Sequence, residues 1–299
     1  MRRSSLHIYI VWCVALLSLA ALAYAYKPPG SILREPFQGR REFHFGNGGH
    51  YGDNILNLKF LYNNAELLKA NDIFIHYHYP AGNIGKVEEL QRYVDGGCVE
   101  LDASAAPPDA VVFWMKDPID GLTVWDNFSA YYSLLYRNIL QTLSLEDKGV
   151  DTSLFQKEEY LLDIYEGLDE TYKNVDILIL NAEPKSGQFA YNKAQMDALI
   201  REISQRFRVV TTTPVDPSIP CTMDGGLSLQ DIGAVSTHAK YIFGVNSGPL
   251  IPCFNAAAQA HVKKWIILDN NPSKFDGVSY IVLQSLPDAQ TLFSQFTIE

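Results

Sequence analysis

Three loop stretches of this 299-residue chain combine residue types suited to proton and phosphate chemistry. The first is Gly46-Asn47-Gly48-Gly49-His50-Tyr51-Gly52-Asp53. Glycine lets backbone approach a ligand or take positive φ. Gly49, Gly52 and the intervening His50 therefore make a candidate ligand-binding surface. Asp53 stands at an expected helix entrance. A carboxylate there either caps free N–H groups or takes a proton from a hydroxyl as general base. The spacing matches neither GxGxxG nor a P-loop, so neither a dinucleotide nor ATP is indicated. The second stretch is Val245-Asn246-Ser247-Gly248-Pro249-Leu250. A strand gives way to a helix there, and free N–H groups at such a point favour an anion. Ser247 either caps that helix or meets a phosphate oxygen, with Asn246 and Gly248 beside it. The third, Glu183-Pro184-Lys185-Ser186-Gly187, offers Lys185 as a positive charge for a diphosphate. The alternative is an ordinary exposed lysine in a polar loop.

His76 and His78 share one strand face by period two, and either could reach a cleft from near the strand's end. HxH can ligate a metal, but the sequence supplies no evident third ligand. No Asp-x-Asp triplet and no Gly-x-Ser-x-Gly elbow occur. The second absence weakens an α/β-hydrolase assignment. No metal and no cofactor are expected.

These loops need regular elements to place them. The sequence predicts strands at 42–45, 72–79, 98–101 and 110–115, with helices at 54–62, 87–94 and 128–143. A charged connector follows, helical around 158–172. A second alternation predicts strands at 175–180, 208–212, 241–245, 264–268 and 280–283. Its helices fall at 193–207, 229–238, after Pro249 through Ala260, and at 288–296. Strand–loop–helix alternation indicates α/β architecture with parallel sheets. The expected organisation is an N-terminal segment 1–26, a stem 27–41 and two α/β lobes, 42–170 and 171–299.

Arg2 and Arg3 precede an uncharged apolar run, Ile8 to Ala25. That length approaches the roughly 20 residues a membrane-spanning helix needs, and the arginines would keep its start cytoplasmic. The expectation is a type II signal-anchor, with the rest of the chain in the lumen of the secretory pathway, the Golgi in particular. Ala23-Tyr24-Ala25 also fits a cleavage site, which would make the protein secreted. Asn127-Phe128-Ser129 is a glycosylation sequon. Cys13 lies in the apolar run; Cys98, Cys221 and Cys253 remain, enough for one disulfide and too few for a disulfide scaffold. The formal charge is −10. Removing Arg2 and Arg3 makes it −12 (−10 − 2), with no basic cluster, which argues against a nucleic-acid partner.

Taken in order, these pieces resemble the ADP-heptose:lipopolysaccharide heptosyltransferases, whose GT-B fold has two Rossmann-like lobes. Gly52-Asp53-Asn54-Ile55-Leu56 is similar to that family's Gly-Asp-(Val/Ile) loop, which implies Asp53 as catalytic base. Ile177–Lys185 resembles the strand and loop whose lysine meets donor phosphate. Leu227–Ala234 resembles the segment before the donor loop, and Tyr241–Leu250 the donor loop itself. Asn246 stands where the family usually has Asp, and Ile251 where it has His. The resemblance implies metal-independent sugar transfer from a nucleotide-sugar donor to a hydroxyl of a glycan or glycoconjugate acceptor, with lobe 42–170 and its Gly49, His50, Gly52 and His78 on the acceptor side and lobe 171–299 binding the donor. Two alternatives share the fold pattern. Polysaccharide pyruvyl transferases have a loop loosely similar to Gly46–Asp53. A non-catalytic lumenal protein binding a nucleotide sugar or glycan would tolerate Asn246 and Ile251.

Overall fold

The computed structural model describes residues 39–80, 82, 87–114, 118–185 and 187–296. The apolar run 8–25 with Cys13, most of the stem, and Ser186 lie outside the described residues. Among the described residues, no helix is long and apolar enough to cross a membrane.

Two all-parallel sheets lie within one compact unit, Arg41–Glu299. The first contains β1 (Arg41–Gly46), β2 (Ile73–His78), β3 (Val99–Asp102) and β4 (Val111–Val112) in the order β3-β2-β1-β4. Its helices are α1 (Tyr51–Asn63), α2 (Ala65–Ala70), α3 (Val87–Gln91) and α4 (Phe128–Leu143). The second sheet contains β5 (Ile177–Leu180), β6 (Val209–Thr211), β7 (Tyr241–Val245), β8 (Lys264–Leu268) and β9 (Tyr280–Leu283). Its order is β6-β5-β7-β8-β9. With it go α5 (Tyr160–Gly167), α6 (Lys193–Ser204), α7 (Leu229–Ser236), α8 (Ala256–His261) and α9 (Ala289–Phe293).

Local sequence explains most boundaries. Asn127 caps α4 by accepting the Ala130 N–H, and Asn192 and Asp288 cap α6 and α9 in the same way. The sequon asparagine is thereby committed: its amide also donates to Asp276 at 2.8 Å, and Ser129 is buried. Ser228 and Asp231 form a capping box at the start of α7. The strands of the second sheet except β9 are buried on both faces, save for half-buried Lys264, and they read as continuous apolar runs. Gly244 has φ +148°, and a Cβ there would collide with the Leu180 carbonyl of neighbouring β5. Only glycine fits that approach.

The sequence does not predict α2; β4 is only Val111–Val112 of the expected 110–115, and several helices end two to three residues early. Two further changes have a clear local cause. Helix α1 begins at Tyr51, three residues before its expected start, because His50 is extended (φ −73°, ψ 178°) and its N–H is taken by Asp53. The helix expected after Pro249 is two pieces, a 3-10 segment Gly248–Cys253 and then α8. Pro252 has no N–H to continue the ladder, and Asn255 restarts it by accepting the Ala258 N–H. Cys98, Cys221 and Cys253 are all buried and unbonded to one another, so no disulfide forms among the described residues.

One apolar cluster spans both sheets. It runs from Phe45 and Phe113 through Tyr136 and Phe60, and on α4 reaches Phe128, which packs on Phe254 and Phe275 of the second half. A second cluster fills the other face of the second sheet, beneath α6 and α9.

Candidate active site

In open parallel sheets, ligands bind beyond the strands' carboxyl ends, at the point where strand order reverses. The first sheet reverses between β1 and β4, and the second between β5 and β7. Gly46–Asp53 leaves β1; the loops carrying Lys185 and Asn246 leave β5 and β7. Topology alone therefore selects all three stretches.

At the first crevice, Asn47 organises the loop. It is 1 % exposed, donates to the Tyr77 hydroxyl at 2.9 Å and accepts the Gly49 N–H at 2.8 Å. Asn54, fully buried, donates to the His50 carbonyl at 2.8 Å. These bonds fix the turn so that Asp53, at the third position of α1, accepts the His50 N–H at 2.8 Å. Asp53 is thus a first-turn carboxylate, and His50 occupies the N-cap position. Trp114, just past β4, closes the other side. A Cβ added to Gly49 would collide with its Nε1 and lie 2.7 Å from Asp53 Oδ2. Burial pushes the Asp53 carboxyl above its ordinary value; the His50 N–H, the His50 charge and the Trp114 N–H pull the other way. The indole N–H is buried and completes no well-aligned hydrogen bond. We therefore treat its pull on Asp53 as electrostatic.

At the second crevice, Asn246 donates to Asp269 Oδ2 at 2.5 Å, and Asp269 Oδ1 accepts the Asn271 N–H at 2.8 Å. Asp269 is 2 % exposed, and burial raises its pKa against those two bonds. Ser247 does not cap the 3-10 segment; its hydroxyl donates to the Val245 carbonyl at 3.3 Å. Lys185 is exposed and makes no ion pair among the described residues. Its loop is tied to the end of β8 by the Asn270 N–H donating to the Gln188 carbonyl at 2.7 Å.

The two crevices meet. A Cβ on Gly52 would stand 3.2 Å from Ile251 Cγ1 and 3.8 Å from the Gly248 Cα. The first turn of α1 thus abuts the turn after β7. Two concavities of about 280 and 350 Å³ lie elsewhere, around Lys148–Asp151 and between Arg137 and Asp276. Neither is lined by a predicted site residue.

His78 sits apart from Asp53, in a cluster on one sheet face. It bonds His44 at 2.9 Å and Ser104 at 3.3 Å, while His76 bonds Glu100 at 2.6 Å. Among the described residues, no group of three or more His, Cys, Asp or Glu is arranged to hold a metal. Sequence reasoning missed Asn47, Asn54, Trp114, Asp269 and the buried Lys59. The available signal was polarity inside an apolar helix: Asn54 opens, and Asn57 and Lys59 interrupt, the run Asn54–Leu61, where every residue is buried.

No protein-family model matches the chain, and no curated protein matches it. Solved structures do resemble it. The glycosyl transferase family 9 protein of Veillonella parvula is 15% identical, over 87% of this chain and 90% of that one, with a TM-score of 0.42. E. coli heptosyltransferase WaaC with ADP-2-deoxy-2-fluoro heptose is 11% identical, over 85% and 99%, with a TM-score of 0.49. E. coli ADP-heptose lps heptosyltransferase II is 11% identical, over 83% and 92%, with a TM-score of 0.43. These are likenesses of fold.

Proposed function

We propose that the chain is a two-lobed GT-B glycosyltransferase that moves a sugar from a nucleotide-sugar donor to a hydroxyl of a glycan or glycoconjugate. One observation carries this: the reversal-point crevices of both sheets converge, and the first turn of α1, which carries the half-buried Asp53 carboxylate, abuts the segment opened by the Ser-Gly-Pro turn. Asp53 takes the acceptor hydroxyl's proton as that oxygen attacks the anomeric carbon. The bond from that carbon to the donor diphosphate breaks, and the charge leaves with the diphosphate. Lys185, Ser247 and the N–H groups around Gly248 meet it in this reading, with Asn246 held beside Ser247 by Asp269, and Ser186 joins them on sequence grounds alone. Gly49, His50 and Gly52 line the acceptor side. Anchoring through 8–25 in the Golgi or elsewhere on the secretory route rests on the apolar run and its arginines. Membrane fractionation of the expressed protein tests it.

A non-catalytic nucleotide-sugar-binding protein is the second reading, favoured by Ile251, which is buried against Gly52. Turnover separates the two. A thermal-shift screen against nucleoside diphosphate sugars finds the donor, since a bound ligand raises stability according to its concentration over its Kd. Asp53→Asn then keeps donor affinity and loses turnover by roughly 10²–10⁴-fold. Full activity in that variant removes Asp53 from the mechanism.

A further inference from the structure

Lys59 lies six residues beyond Asp53 on α1, roughly 9 Å along the helix, and its side chain is 2 % exposed. Its ammonium pairs with Glu158 Oε2 at 2.8 Å and donates to the carbonyls of Phe254 at 3.0 Å and Ile251 at 3.4 Å. Glu158, 1 % exposed, accepts the Tyr160 hydroxyl at 2.7 Å on its other oxygen. One buried cation thus joins three parts of the chain: the base-bearing helix, the connector before α5, and the stretch that follows the Ser-Gly-Pro turn.

Burying two charges is costly, and well-packed apolar residues in their place are often as stable or more so. The pair therefore calls for a role other than raw stability. The carbonyls it holds end the 3-10 segment that Gly248 opens, and a cation is favoured at such an end. Holding that end fixes where the other end, with its free N–H groups, stands relative to Asp53.

We propose that Lys59 is a positioning residue: it locks α1 against Ser247–Phe254, so that the base and the diphosphate-binding turn keep one mutual geometry. This rests on the glycosyl-transfer reading above. Lys59 touches no reacting atom in this scheme. Its effect falls on kcat, where misplacement of about 1 Å costs on the order of a hundredfold, and spares nucleotide affinity, which the second sheet supplies.

Lys59→Met alone leaves Glu158 buried and unpaired, so the informative protein is full-length Lys59→Met with Glu158→Gln. The expected result is a Tm close to the parent, unchanged affinity for ADP and UDP by calorimetry, a kcat lower by roughly a hundredfold, and faster amide hydrogen exchange over 248–254. If that protein does not fold, Lys59→Arg carries the same test through its altered reach: kcat falls while nucleotide affinity holds. A folded variant with parental kcat overturns the proposal. If the parent turns over no nucleoside diphosphate sugar, the glycosyl-transfer reading fails, and exchange then decides the lock alone. Unchanged protection over both 50–54 and 248–254 overturns it.

Discussion

At the end of β1, one carboxylate stands with a single backbone N–H as its firm partner and an indole N–H nearby. At the end of β7, the nearest carboxylate is spent: Asp269 takes the Asn246 amide and the Asn271 N–H, and almost none of it reaches solvent. The first crevice therefore keeps a group that can exchange a proton. The second presents a neutral amide, a hydroxyl and backbone N–H groups, with Lys185 exposed at its edge. The difference teaches why the proposed glycosyl transfer assigns the two halves different tasks, proton removal to the crevice with the unspent carboxylate and anion binding to the other. The sheets differ in the same sense. Strands β5 to β8 are buried on both faces save for Lys264, whereas β1, β2 and β3 carry Glu42, His44, His76, Glu100 and Asp102 on one less buried face.

The contrast can be broken most sharply at Gly49. Gly49→Ala drives a methyl into Trp114 and Asp53, and kcat should fall on the order of a hundredfold. Gly52→Ala brings a methyl 3.2 Å from Cγ1 of buried Ile251, a milder approach than the collision at Gly49, and gains helix propensity of up to about 1 kcal/mol, so its kcat should fall less than that of Gly49→Ala. Equal kinetics in the two variants would show that the loop tolerates displacement.

A smaller effect is expected at Asn246. Asn246→Asp sets a second carboxylate against buried Asp269, and mutual repulsion raises the folded-state pKa of the pair. Stability is then retained below the unfolded carboxylate value of about 4 and lost as pH rises through the raised folded value. The cost at neutral pH should be roughly 1–3 kcal/mol. Melting curves should separate from the parent at pH 7 and converge near pH 4; an equal deficit at both pH values counts against repulsion.

The smallest change sharpens the first crevice. Trp114→Phe removes the N–H that favours the ionised Asp53, so the acid limb of kcat/KM moves to higher pH. In the parent, that limb should already lie above the ordinary aspartate value because burial disfavours the anion. A limb that stays in place or moves down would show that the indole does not act on the carboxylate.

Helix α4, strands β7 to β9 and most other elements were legible from apolar periodicity, because burial on one or both faces is written directly into residue spacing. The strand-end loops that carry Gly52, Asp53, Ser247 and Gly248 were legible because glycine and small polar residues between a strand and a helix mark such a loop. Trp114 was not: it belongs to the site only because β4 pairs with β1, placing the residue after Phe113 beside Gly49. Asp269 was hidden in the same way, one strand away from Asn246. Lys59 reads in sequence as one more helix lysine. Only the packing of α1 between the two halves buries it and turns it toward Glu158. The sequence by itself determined the elements, their alternation and the strand-end loops, because those depend on local spacing and backbone preference. The tertiary structure decided which loops share a crevice, which carboxylate keeps its proton chemistry and which lysine is buried, because those depend on strand order and on distances across nearly two hundred residues of chain.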